Sequence, residues 1–133
     1  MNATEIGLYN KLKGTAALTA TLSTTTAIYN AVAPAGTSMA YVVFVYAGGG
    51  LENITPSELH NVVYMVKAVA DDSAEAATIQ GHIKTALHGQ TLKVGGYTNF
   101  YTACEDEISY VEQTREGALI HHRGYYVRVR VDD

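Results

Sequence analysis

Residues 62–89 read VVYMVKAVADDSAEAATIQGHIKTALHG, and this stretch decides what the rest of the chain must supply. Val62, Tyr64, Val66 and Ala68 alternate onto one face of an extended chain, with Val63, Met65 and Val69 on the other. Lys67 is the only charge before Asp71, and a strand apolar on both sides belongs inside a sheet. Asp71, Asp72 and Ser73 stop it, because short polar side chains bond nearby backbone N–H groups and favour turns and helix N-caps. Glu75 suits the positive end of a helix dipole. Ala76, Ile79, Ile83, Ala86 and Leu87 then recur at helical spacing, and Gly89 provides a left-handed stop. A helix with one apolar stripe needs a sheet to cover.

Toward the N-terminus, residues 4–13 read as a helix capped by Thr4, with Ile6, Tyr9 and Leu12 along its apolar side. Gly7 lowers its intrinsic propensity by roughly 1 kcal/mol, and Gly14 is its stop. The Thr- and Ala-rich segment 15–26, with Leu18 and Leu22, is compatible with either more helix or an ordered loop. A short strand is expected over 27–32, followed by a reversal at Pro34 and Gly36. Residues 40–47 form a β-branched and aromatic run that predicts a second strand covered on both faces. Gly48, Gly49 and Gly50 are expected to end it in a mobile turn, and 51–59 to be a polar connection.

Toward the C-terminus, Gly95 and Gly96 predict a tight reversal, and 97–104 a strand. The acidic run Glu105, Asp106 and Glu107 separates it from a second extended piece, 108–113, and Gly117 marks a turn. The last strand alternates most clearly. Tyr125, Val127, Val129 and Val131 share one face, and Tyr126, Arg128 and Arg130 the other. The expectation is one α+β domain over 1–133, a mixed or antiparallel β-sheet packed by two helices at about residues 4–13 and 73–88.

Of the 133 residues, 47% are hydrophobic and 17% charged, the balance of a globular domain with one core. The net charge of −4 argues against a general nucleic-acid binder, which needs a basic footprint. Cys104 is the one cysteine, so no intrachain disulfide is possible and a reducing compartment is expected. It reads as a small buried hydrophobe whose acidic neighbours raise its pKa. The Met1 end carries no basic segment before an apolar run, and no apolar run reaches the roughly 18 residues of a membrane span. A soluble protein made in a cytosol is expected.

The chain carries no complete motif for phosphate, metal or nucleophile chemistry. Leu51 and Glu52 follow Gly48–Gly50, where a phosphate loop needs Lys and Ser or Thr. His121 and His122 point to opposite faces of a strand, and His60, His82 and His88 are scattered, so no metal site is expected. Glu105–Glu107 could be an acid/base pair, but consecutive residues diverge along a strand, and an acidic surface or interface patch is the simpler reading. There is no GxSxG, HExxH or GxGxxG, and neither an enzyme nor a cofactor is expected. Tyr126, Arg128 and Arg130 on the last strand are compatible with a solvated face and with a subunit interface.

Three segments carry a family resemblance: IYNAVAPAGTSMAYVVFVYAGG at 28–49, the strand–turn–helix at 62–89, and GYYVRVRV at 124–131. With a helix like 4–13, the chain resembles the tail-completion or tail-terminator proteins of long-tailed bacteriophages and their prophages. It departs from that pattern in having Met39-Ala40 before Tyr41, where a proline is expected. The resemblance implies a structural virion protein without an active site, a homo-hexameric ring in the neck at the top of the tail. Such a ring caps the tail tube, stops addition of the major tail tube protein and joins the head-tail connector. DNA passes through its lumen without specific binding, no membrane is involved, and assembly takes place in the host cytoplasm. Glu105, Asp106, Glu107, Tyr126, Arg128 and Arg130 are the candidate subunit or partner interface. The alternatives are a head-tail connector or stopper, the tail tube protein, and lastly a small ligand-binding domain or enzyme without a recognisable motif.

Overall fold

The computed structural model describes residues 2–52 and 58–133, and the strand read from residues 62–69 lies at the centre of its sheet. In chain order the elements are α1 (Asn2–Lys13), α2 (Ala16–Thr19), β1 (Ile28–Asn30), β2 (Tyr41–Glu52), β3 (Leu59–Ala70), α3 (Ser73–Leu87), β4 (Thr98–Gln113) and β5 (Leu119–Asp132). The five strands are ordered β1-β2-β3-β5-β4. β1 runs parallel to β2 and every other neighbour is antiparallel, so the fold is α+β with a mixed sheet.

Strand alternation divides the sheet into two faces. Val42 and Phe44, then Tyr64, Val66 and Ala68, then Val127, Val129 and Val131 point into one core with Leu8, Leu12, Leu18, Ile79, Ile83 and Leu87 from the helices. The helix stripe expected over 76–87 is the one buried, and Gly89 closes α3 with φ 70°. Asp72 occupies the N-cap position but makes no side-chain cap bond. The opposite, open face carries Tyr41, Val43, Met65, Lys67, Tyr126, Arg128 and Arg130, so β2, expected to be covered on both faces, has helices over only one.

Several local expectations are corrected. Helix α1 begins at Asn2, so Thr4 is not its cap but a fully buried residue within the first turn. Its buried face is Thr4, Gly7, Leu8 and Leu12, while Ile6 is exposed and Tyr9 half-buried. Gly7 explains the rotation. A Cβ there would lie 2.5 Å from the Lys93 carbonyl oxygen, so α1 abuts the 92–94 segment through the one position without a side chain. The open choice over 15–26 resolves into the four-residue α2 followed by turns, making three helices among the described residues in place of the two expected.

The glycines 48–50 do not end β2. They continue it, with a bulge between Tyr46 and Gly48. Gly49 has φ 99°, and a Cβ on it would meet the Asn61 carbonyl oxygen at 2.1 Å, so glycine is what allows β2 to hug β3 there. Leu51 and Glu52 are thus strand residues rather than loop, and the centre of the expected connection, 53–57, lies outside the described residues. The two extended pieces read at 97–104 and 108–113 are one strand, β4, bulged between Asn99 and Tyr101 and again between Cys104 and Glu107. The peptide bond joining Met39 to Ala40 is cis.

Candidate interface

The expected interface residues divide at the second bulge of β4. Arg128 and Arg130 stand on β5 opposite Val63 and Asn61 of β3. Arg128 Nε donates to both carboxylate oxygens of Glu105, at 3.0 and 3.1 Å, and its Nη1 donates to Asn61 Oδ1 at 2.8 Å. Asn61 Nδ2 donates to Glu52 Oε1 at 2.9 Å, and the same oxygen lies 3.5 Å from Arg130 Nη2. The Arg130 guanidinium also sits over the Phe100 ring, 5.3 Å from its centroid. Glu105, Arg128, Asn61, Glu52 and Arg130 therefore form one continuous polar ladder along the open face. Both arginine side chains keep 34% of their surface exposed, so each pair contributes about 0–1 kcal/mol.

Tyr126 lies beside the ladder, opposite Met65. Asp106 and Glu107 do not join it. The bulge turns Glu107 toward the helix side, opposite Tyr125 and 3.5 Å from Gln80 Nε2, and leaves Asp106 exposed. The acidic run is thus split between faces, and its Arg–Glu pairing lies within one chain. Cys104, beside it, is half-buried, and burial pushes its thiol up to about 11 against the opposing pull of Lys84. Burial, not the neighbouring carboxylates, is the cause.

A second cluster escaped the sequence reading. Lys67 of β3 donates to the Tyr110 hydroxyl of β4 and lies 5.1 Å from its ring centroid. Tyr110 stacks on His122 of β5 with centroids 4.4 Å apart and planes 8° from parallel. His122 Nε2 lies 2.8 Å from Glu112 Oε1. Burial holds the His122 imidazole below its usual value, and the bond to Glu112 opposes that shift. The residues come from three strands, so only the strand register reveals the cluster.

The two edges of the sheet differ. Beside β1, a groove of about 400 Å³ runs between β1 and α1, walled by Glu5, Ile6, Tyr9, Tyr29, Val32 and Pro34. At the far edge, the end of α3 closes the first half of β4, because Gly89 N donates to Thr102 O and Cys104 N to His88 Nδ1. Among the described residues no backbone bond from another element closes β4 beyond Cys104, so 105–113 is an open edge ending in a hairpin that exposes Tyr110, Val111 and Leu119. Among the described residues no three His, Cys, Asp or Glu converge as a metal site would require.

Compared with known proteins, residues 7–132 match the family described as Tail completion protein gp17. No curated protein sequence matches the chain. A chain in the solved structure "Virion of native gene transfer agent (GTA) particle" shares the fold with a TM-score of 0.76. It is 18% identical, and the match covers 99% of this chain and 96% of that one.

Proposed function

Because this chain belongs to the tail completion protein gp17 family, we propose that it closes the tail of a phage-type particle as a ring of six copies. It is a structural protein of a phage-type virion. In this reading the ring caps the tail tube, ends polymerisation of the tube protein and offers the surface that joins the head connector, while DNA slides through the lumen. Residues 1–133 act as a single tail-terminator-like domain, assembled in the host cytoplasm and carried in the virion neck. The role is mechanical and uses no catalytic group.

The observation that carries this reading is the family match over residues 7–132, nearly the whole chain. The gene transfer agent particle, whose virion holds a chain of the same fold, supports it. The net charge of −4 suits a channel that does not grip phosphates. Glu105, Tyr126, Arg128 and Arg130 on the open face, with Asp106 and Glu107 at the β4 edge, are proposed to meet a neighbouring subunit or tail protein.

Light scattering of the purified protein across a concentration series, with and without tail tubes, tests the ring. A closed species near six subunits, or a monomer that becomes six on tubes, is the expected result. Filaments growing without limit would indicate a tube protein instead. Charge reversal at Glu105, Arg128 and Arg130 tests the surface, and unchanged ring assembly and tail joining would remove it from the interface.

A further inference from the structure

We propose that copies of this chain join head to tail, the β4–β5 hairpin tip of one copy seating in the groove between α1 and β1 of the next. This rests on the ring reading above and supplies the two surfaces that make it. The strand order puts β1 and β4 at opposite edges of the sheet, roughly 19 Å apart at the ordinary strand spacing. Each edge exposes apolar side chains that nothing among the described residues covers. On the groove side Ile6 is 53% and Val32 76% exposed, and at the tip Val111 is 54% and Leu119 50% exposed. Two unlike apolar patches on opposite edges fit a heterologous contact, whereas a two-fold contact requires a single self-complementary patch. The groove's 400 Å³ lies within the range of pockets that enclose small ligands, roughly 300–1,000 Å³, and admits a few side chains.

Charge disfavours the like-edge alternative. The open edge of β4 bears Glu105, Asp106, Glu107 and Glu112 within eight residues, so pairing it with the same edge of a second copy would oppose carboxylates. Helix α1 puts Glu5 in the groove wall, while Lys11 faces Gly7, Thr91 and Lys93 on its other side. Lys13 Nζ lies 5.8 Å from the ring centroid of Tyr9, a groove residue.

The test uses two full-length variants, Ile6→Glu/Val32→Glu in the groove and Val111→Glu/Leu119→Glu at the tip, beside the wild type, by light scattering with tail tubes present. Circular dichroism verifies each fold, and Val111→Glu alone serves if Leu119→Glu loosens the hairpin. Each variant is expected to stay monomeric where the wild type assembles. Mixed, the two should form a 1:1 dimer that grows no further, because one supplies an intact groove and the other an intact tip. Assembly of either variant at wild-type concentrations, or a mixture that remains monomeric, overturns the surfaces while leaving the ring reading intact. A wild type that never assembles, even on tubes, ends both.

Discussion

Arg128 of β5 grips Glu105 of β4 through both carboxylate oxygens, although the residue directly opposite Arg128 is Ala103. The bulge after Cys104 swings Glu105 back over its neighbour strand and turns Glu107 away. Because both partners remain about one-third exposed, solvent screens the pair. Glu105→Gln is expected to lower stability by no more than about 1 kcal/mol in urea denaturation. A loss twice that size would mean that the ladder along the open face is far more cooperative than its exposure allows.

The buried face of α1 makes a sharper contrast. Leu8→Ala removes a fully buried side chain and is expected to cost about 2–5 kcal/mol. Ile6→Ala, on the exposed side, should fall within about 0.5 kcal/mol of wild type. Equal effects in a denaturation series would restore the helix face that periodicity alone suggests.

Two glycines mark places where backbones touch. A Cβ at Gly49 would lie 2.1 Å from Asn61 O, and one at Gly124 2.0 Å from Val66 O. Gly49→Ala and Gly124→Ala are each expected to destabilise by at least about 1–3 kcal/mol, as overpacked positions do. Chemical denaturation decides the matter, since a Gly49→Ala protein of ordinary stability is incompatible with so close an approach of β2 to β3.

His122 couples the sheet to pH. Burial depresses its folded-state pKa below the usual 6.5, so the folded protein binds its proton less readily than the unfolded chain. Its contribution to stability is therefore present above pH 6.5 and is lost as pH falls from there through the lower folded-state value. The His122 ring resonances should titrate below 6.5 in NMR, and His122→Gln should flatten the acid side of the stability profile between those limits. A ring that titrates at or above 6.5 contradicts this.

The parts of the fold that rest on one segment's own pattern were legible. α3 and β5 each bury the stripe that their spacing marks, β3 lies inside the sheet as its apolar run requires, and Gly89, Gly96 and Gly117 turn the chain where expected. The face of α1 was not, because Ile6, Leu8, Tyr9 and Leu12 surround much of the helix and only the contact of Gly7 with Lys93 orients it. Glycines 48–50 misled for a related reason, since a glycine that breaks a strand and one that admits a bulge look alike in sequence. Of the six expected interface residues, Glu105, Tyr126, Arg128 and Arg130 share the open face. Alternation placed the last three, but only the bulge adds Glu105. Lys67, Tyr110, Glu112 and His122 meet across three strands, and a register set by tertiary pairing leaves no local mark.

The strand order also governs how such a chain is made. β5 follows β4 in the sequence yet lies between β4 and β3 in the sheet. On the ribosome, β2, β3 and α3 can condense early as a neighbouring set, while β4 emerges with no strand partner until β5 has been translated. β5 then has to zip along β3 and β4 at once, joining the β2–β3 hairpin to a strand that pairs with no other among the described residues. Completion of the sheet is thus delayed until the chain reaches Asp132, and a chain stalled before Leu119 would leave β4 paired on neither side beyond Cys104, an adhesive ribbon.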